Sequence, residues 1–476
     1  MQSFTIDKND FRLGVSTSRR HTDGGFAPNK FLSGYSVPKN VAVNLFKGAG
    51  DTLYPPPTRY DINLNSSSVI TGDVIAFAED GTLSGNDSGY ALDDDGKYYS
   101  IDGNTVTLRQ TDSTNSYIVG TSDLVQYKGN LYGTAREDIV RLTGSSLSAI
   151  DATWWTTTRG HSALNSSYRH PMAIVEDILY IADRYYIHTW DDSASVQQAM
   201  TLPSIYNITN MIAHPDGRHL IVFCSGTANY GHSLKSKSVC FIVDTVNLEF
   251  IREISLDDQV EGSVNVGGVI YVTYGENLGY FNGDGISFLR KLSPTITGNL
   301  VTRYKHSLAN VDGILAVLDG DCVLMYGDLG LGNMFWYQYA DNQSVPTSPS
   351  AIAYIGSKKM LISTTDRLLD RFDLNDISGS CEWESNFYSF PSKVWIRKIE
   401  VEMETMSSGS DITFYALDKN DTATQLFTMD YATDGAISYK EKFINLRTNI
   451  FKLRAHFAAG NTKGIHKITV WYEDAE

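Results

Sequence analysis

Carboxylate pairs are the first place to look for chemistry in this chain, because a glycoside hydrolase needs two carboxyl groups about 5–10 Å apart across a pocket. Asp93-Asp94-Asp95, Asp191-Asp192 and Asp257-Asp258 supply the residue type. Neighbouring residues in a turn direct their side chains apart, so each run reads as a solvated turn rather than an acid–base pair. His214 and His219 flank a Pro-Asp-Gly turn; the spacing raises the question of a metal, and hairpin geometry is the simpler answer. A denser group comprises Trp154, Trp155, Arg159, His161, Tyr168, Arg169 and His170. Aromatic faces beside Arg and His stack sugars or grip partner subunits, which makes Trp154, Trp155, Arg159, His161, Arg169 and His170 candidate contacts. The same Trp pair can equally fill core between repeats.

The motif search returns little else. The chain holds no Gly-x-Ser-x-Gly elbow, no Walker loop and no dinucleotide glycine pattern. It also lacks His-Glu-x-x-His and Cys-x-x-Cys pairs, and the Ser-x-Asp-x-Gly-x-x-Trp boxes of sialidases. No catalytic residue, metal ligand or cofactor is therefore expected, and the chain reads as a non-enzyme.

The elements that hold these side chains are strands. Tyr is abundant at 28 and Gly at 39, with 42% hydrophobic and 20% charged residues, an ordered composition rich in strand formers. One pattern recurs: a small turn, an apolar run, a polar turn and a second apolar run. It reads Gly129-Asn-Leu-Tyr132 then Ile139-Val-Arg-Leu142, Asp177-Ile-Leu-Tyr180 then Tyr186-Ile-His-Thr-Trp190, and Gly268-Val-Ile-Tyr271 then Leu278-Gly-Tyr-Phe281. Aligning Tyr98, Leu131, Leu179, Ile221, Ile270, Leu315 and Leu361 gives spacings of 33, 48, 42, 49, 45 and 46. Hairpins at a period near ~45 are the signature of propeller blades, which bury both faces only by stacking around an axis. The expected fold is all-β: a six- or seven-bladed β-propeller over residues 69–378.

The flanks differ. Residues 1–68 show no repeat and carry Gly24-Gly25 and Pro55-Pro56-Pro57, so they read as an extended N-terminal arm. Residues 1–60 hold eight Lys/Arg against four Asp, a charge of +4 within a chain of −16. Arg12, Arg19, Arg20, His21 and Lys30 are thus candidates to dock the arm on an acidic neighbour; Arg19-Arg20-His21 is too short a run to signify nucleic acid. Residues 379–476 show one-sided alternation, as in Ile399-Glu-Val-Glu-Met-Glu404 and Phe451-Lys-Leu-Arg-Ala-His-Phe457, and read as an antiparallel, jelly-roll-like β-sandwich. Cys224, Cys240 and Cys322 sit in apolar runs and read as buried free thiols. The opening residues have no signal-peptide pattern and no run of 18 apolar residues occurs, so no membrane anchor is expected.

In this organisation the chain resembles bacteriophage tail proteins of the nozzle or packaged-DNA-stabilisation type. Residues 69–378 resemble them in blade arrangement, and Trp383-Glu-Ser-Asn-Phe-Tyr-Ser-Phe-Pro391 followed by Val394-Trp-Ile-Arg-Lys-Ile399 is similar to the sandwich ends of minor tail proteins. The resemblance implies a virion tail subunit made in the host cytoplasm. It would form a sixfold ring with copies of itself, contact other tail or portal and adaptor proteins, and let DNA pass without specific binding. The acidic body suits that role, since carboxylates repel phosphates. A carbohydrate-active or glycan-binding propeller (glycosidase, lectin or host-recognition tail protein) is the alternative.

Overall fold

Short runs of β-branched and aromatic residues broken by Gly, Asp and Asn favour strands, and among the described residues strands predominate. The computed structural model describes residues 1–6, 52–53, 57–65, 69–79, 88–144, 147–226, 238–292, 305–319, 322–328, 333–340, 349–356, 359–364, 369–377, 381–385, 388–418, 422–458 and 460–475. Contacts divide the chain into two compact units. One comprises Tyr60–Asp321 with Val345–Arg371, the other Met1–Arg59, Cys322–Ser344 and Phe372–Glu476.

Seven four-stranded antiparallel sheets form a seven-bladed propeller. Their innermost strands are Val74–Glu79, Leu124–Tyr127, Met172–Val175, Tyr206–Ala213, Val260–Val266, Leu308–Val311 and Pro349–Tyr354, defining blades 1 to 7 in that order. Each innermost strand lies beside the next, and that of blade 7 lies beside that of blade 1, which closes the ring. The apolar side chains pack between blades. Tyr180, Ala182 and Ile187 of blade 3 meet Leu220, Val222 and Phe241 of blade 4 in one cluster; Phe77, Ala91 and Tyr99 of blade 1 meet Ala351, Ala353 and Leu361 of blade 7 in another.

Turn chemistry fixes the hairpins. Lys128-Gly129, Glu176-Asp177, Gly267-Gly268 and Asp312-Gly313 all have positive φ at both residues. They join the first two strands of blades 2, 3, 5 and 6. Consecutive positive φ values are those of a two-residue type I′ turn, whose twist matches that of paired strands. Blade 4 departs from this pattern with the longer loop His214–Arg218 between Tyr206–Ala213 and His219–Gly226.

Six of the seven aligned anchors, Leu131, Leu179, Ile221, Ile270, Leu315 and Leu361, occupy the second strand of their blades. Tyr98 does not: it lies in the third strand of blade 1, Lys97–Asp102, and the second strand is Ser88–Asp93. That misplacement accounts for the short first spacing of 33.

The terminal unit holds a seven-stranded sheet rather than two evident layers. Its order runs Gln2–Ile6, Ile465–Asp474, Tyr388–Met403, Tyr439–Phe457, Asp411–Leu417 and Ala423–Asp430, with Cys381–Glu384 also paired to Tyr439–Phe457. The alternation holds at Ile399, Val401 and Met403, all buried, with Glu402 exposed and Glu400 and Glu404 half-buried. Lys452 and Arg454, the cations that alternate with Phe451, Leu453 and Ala455, do not face open solvent: Lys452 is buried and bonded to Glu384, and Arg454 donates to Glu384 at 2.7 Å, because Glu384 is the cross-strand neighbour of Arg454.

The segment 1–68 is not an arm throughout. Gln2–Ile6 pairs with Tyr472 back to Ile468, Leu53 exchanges backbone bonds with Ile465, and Pro57–Asp61 forms the outermost strand of blade 7. Arg12, Arg19, Arg20, His21 and Lys30 lie outside the described residues. Cys224 and Cys240 are buried free thiols.

Candidate functional site at the propeller axis

The residues just ahead of the innermost strands converge at one end of the ring. Asp123 precedes the blade 2 strand, Arg169-His170-Pro171 the blade 3 strand, and Lys305–Ser307 form a 3-10 turn before the blade 6 strand. That turn leaves its own blade and packs against the innermost strands of blades 1, 5 and 7. Its side chains reach blades 2 and 3, so it lies across the axis as a plug.

Asp123 is the group around which the plug is organised. Its Oδ1 accepts from His306 Nε2 at 2.8 Å and Leu124 N at 2.8 Å. Its Oδ2 accepts from Lys305 Nζ at 2.7 Å and Met172 N at 2.8 Å. Burial alone would push this carboxyl up; the Lys305 ammonium and the His306 hydrogen bond reverse that and hold it well below the usual carboxylate range. His306 Nδ1 accepts the Phe77 amide at 3.4 Å, which places the imidazole proton on Nε2. Lys305 Nζ also donates to the Met172 carbonyl at 2.8 Å. One short turn thereby ties blades 1, 2, 3 and 6.

Beside it, Arg169 Nη2 lies 3.7 Å from Glu261 Oε1 and Nη1 donates to the Glu261 carbonyl at 3.4 Å. Asn210 Nδ2 donates to Ser263 Oγ at 2.8 Å and Thr209 Oγ1 to the Val260 carbonyl at 2.6 Å. The cavity left between Thr121, Asp123, Arg169, Asn210, Glu261 and Lys305 measures about 20 Å³. One water needs roughly 10–15 Å³, so this space admits a water and no sugar ring or peptide. Both charge signs are present and matched, and the arrangement fastens blades together.

The aromatic group falls elsewhere. Trp154 and Trp155 open a five-residue π-helical turn and are buried, so of the two readings it is the core-filling one that the burial favours. Trp154 packs edge-on between Tyr132 and Trp190, with centroids 5.3 and 5.1 Å away. Trp190 Nε1 donates to Tyr132 OH at 2.8 Å. Arg159 lies over Trp190 at 4.5 Å, His161 and His188 flank Trp155 at 4.2 and 5.1 Å, and Tyr168 lies beneath Arg184. His170 is fully buried, its ring nitrogens 3.1 Å from the Ala182 carbonyl and 3.2 Å from that of Arg136. Of the group, Arg169 alone joins the axial cluster.

The carboxylate runs also serve structure. Asp93 is buried, not solvated: it accepts from Tyr99 OH at 2.7 Å and Lys97 N at 2.8 Å. Asp191 Oδ1 takes the amides of Ser193 and Ala194, and Asp258 Oδ1 that of Gln259. His214, Asp216 and His219 are brought together at the blade 4 loop. Sequence reasoning missed Asp123, Lys305, His306, Asn210 and Glu261. A partial signal existed: Asp123 directly precedes the first strand of its repeat, Leu124–Tyr127.

No protein-family model matches the chain, and no curated protein matches it in sequence. Among solved structures it is similar to the extracellular domain of the putative hybrid two component system BT4673 from B. thetaiotaomicron. Identity there is 12% over 74% of this chain and 44% of that one, at a TM-score of 0.46. It is also similar to Chaetomium thermophilum Raptor, at 9% identity over 63% of this chain and 29% of that one, with a TM-score of 0.42. The WD40 beta propeller domain of Doa1 matches at 10% identity, covering 67% of this chain and 97% of that one, with a TM-score of 0.41. The match spans less than half of the first two chains, and at these scores the likenesses carry no inference about this one.

Proposed function

We propose that this chain is a non-catalytic structural subunit that assembles with copies of itself. The observation that carries the reading is the edge of the terminal sheet. Tyr439–Phe457 pairs with Tyr388–Met403 along its first part and with Asp411–Leu417 only from Lys452 to Phe457. Among the described residues, no strand pairs with the other side of Glu441–Asn449. Phe443 on this stretch is 69% exposed. An unpaired edge of that length is a template for another chain. The sheet ends on its other side at Gln2–Ile6, so the two edges can join head to tail between copies, the geometry that closes rings.

The saturated axial cluster supports the non-catalytic half of the reading, and burial of Trp154 and Trp155 favours their part in core packing. The organisation resembles nozzle-type tail proteins, so the assembly we propose is a phage tail ring, sixfold by that resemblance, through which DNA passes unbound. We read the terminal sheet as folding over into a sandwich, because Tyr439–Phe457 changes partners at Lys452. The test is a photo-crosslinking residue at position 445 of the full chain. Crosslinks to residues 2–6 of another copy are expected; a chain that crosslinks only within itself would overturn the proposal.

A further inference from the structure

We infer that the blade 4 loop is a binding site for a divalent transition-metal cation, with His214, Asp216 and His219 as ligands. This reverses the expectation of no metal and does not depend on the assembly reading. The loop is longer than the two-residue turns that make the same connection in blades 2, 3, 5 and 6, spending five residues, His214–Arg218. His214 N donates to the His219 carbonyl at 2.8 Å and Gly217, at φ +75°, donates to the His214 carbonyl at 2.9 Å. These bonds fix the two imidazoles on either side of Asp216.

Asp216 is oriented for one ligand oxygen. Its Oδ1 is occupied by the amides of Arg218 at 2.9 Å and His219 at 3.1 Å. Its Oδ2 remains and faces both imidazoles, His214 Nδ1 at 3.1 Å and His219 Nδ1 closer still. The two rings stand at 87° to each other, each with Nδ1 toward the same oxygen. The three ligand atoms all lie within 4.8 Å of one another.

His214 Nδ1 also accepts the Asp216 amide at 3.3 Å, a contact that a bound cation would replace. Zinc–nitrogen and zinc–oxygen bonds of about 2.0–2.2 Å put two ligands of one ion roughly 3–3.5 Å apart. The His214–Asp216 separation of 3.1 Å already meets that. Two imidazoles and one carboxylate suit zinc, cobalt or nickel rather than magnesium or calcium. The side chains are 33%, 39% and 24% exposed, so the ion can enter from solvent. Three protein ligands leave at least one coordination position for water or a ligand from another molecule.

The experiment titrates the full chain with Zn²⁺ by calorimetry and with Co²⁺ by visible absorption. One ion per chain is expected, with micromolar affinity and the d–d bands of a nitrogen–oxygen site. His214→Ala and His219→Ala should each weaken binding at least tenfold, and the pair together should abolish it, with circular dichroism unchanged. His219→Gln serves as the second variant should an alanine disturb the hairpin. No binding below millimolar Zn²⁺, or unchanged binding by the double variant, would overturn the site.

Discussion

Replacing Asp123 with Asn should loosen the propeller at its axis, and the structure sets the size of the effect. Asp123 accepts four hydrogen bonds, two at each oxygen. An Asn keeps the pair from His306 and Leu124 but turns an amide NH₂ toward Lys305 Nζ and the Met172 amide, so donors face donors. Removing one partner of a buried ion pair costs about 3–5 kcal/mol. Lys305 retains 29% exposure, and water screens part of its lost attraction, which places the cost near ~3 kcal/mol. Lys305→Met leaves Asp123 with three donors and should cost less, about 2 kcal/mol. The double variant removes both charges and should cost ~1–2 kcal/mol less than the sum. Urea unfolding followed by Trp fluorescence gives each value from the midpoint at constant m. An Asp123→Asn variant within about 1 kcal/mol of wild type, or strictly additive costs, would refute the keystone role.

Acid should weaken the fold in two stages. Burial and its two histidine neighbours hold the His188 imidazole down at about 3, so the folded state refuses a proton that the unfolded chain binds near ~6.5. Its stability contribution is whole above that pH and falls toward pH 3, by up to ~1.4 kcal/mol per pH unit; His188→Asn should flatten the slope between pH 6.5 and 5 in urea midpoints. Asp123, held low by Lys305 and His306 against burial, stabilises above about pH 4 and is lost below it, a limb that Asp123→Asn should remove. Gly279→Ala should destabilise blade 5 by ~1–3 kcal/mol, because its Cβ would meet the Ser287 carbonyl at 2.6 Å and Tyr274 at 2.9 Å; a melting temperature equal to wild type would contradict that.

The repeat was legible because its turns are written in local chemistry. Asp-Gly, Asn-Gly and Gly-Gly steps mark hairpins, and runs such as Gly313-Ile-Leu-Ala316 mark second strands. Blade 1 misled because Gly96-Lys-Tyr-Tyr99 carries the same turn-then-apolar pattern one strand later. The closure of blade 7 by Pro57–Asp61 and the pairing of Gln2–Ile6 with the last strand leave no local trace, since their partners lie hundreds of residues away. Deleting residues 1–60 would thus remove sheet strands as well as the basic segment. The axial cluster stayed hidden for a related reason. Asp123 and Lys305 meet only through ring geometry, and neither forms a motif with its own neighbours. Trp154-Trp155 was conspicuous in sequence, yet large aromatics fill cores as readily as they bind ligands.

The most direct test of the structural reading is the mass of the intact chain in solution by multi-angle light scattering. A closed assembly, an integer multiple of 52.8 kDa that holds on dilution, is the expected result, sixfold if the resemblance to tail nozzles extends to symmetry. A species of 52.8 kDa at every concentration would contradict it.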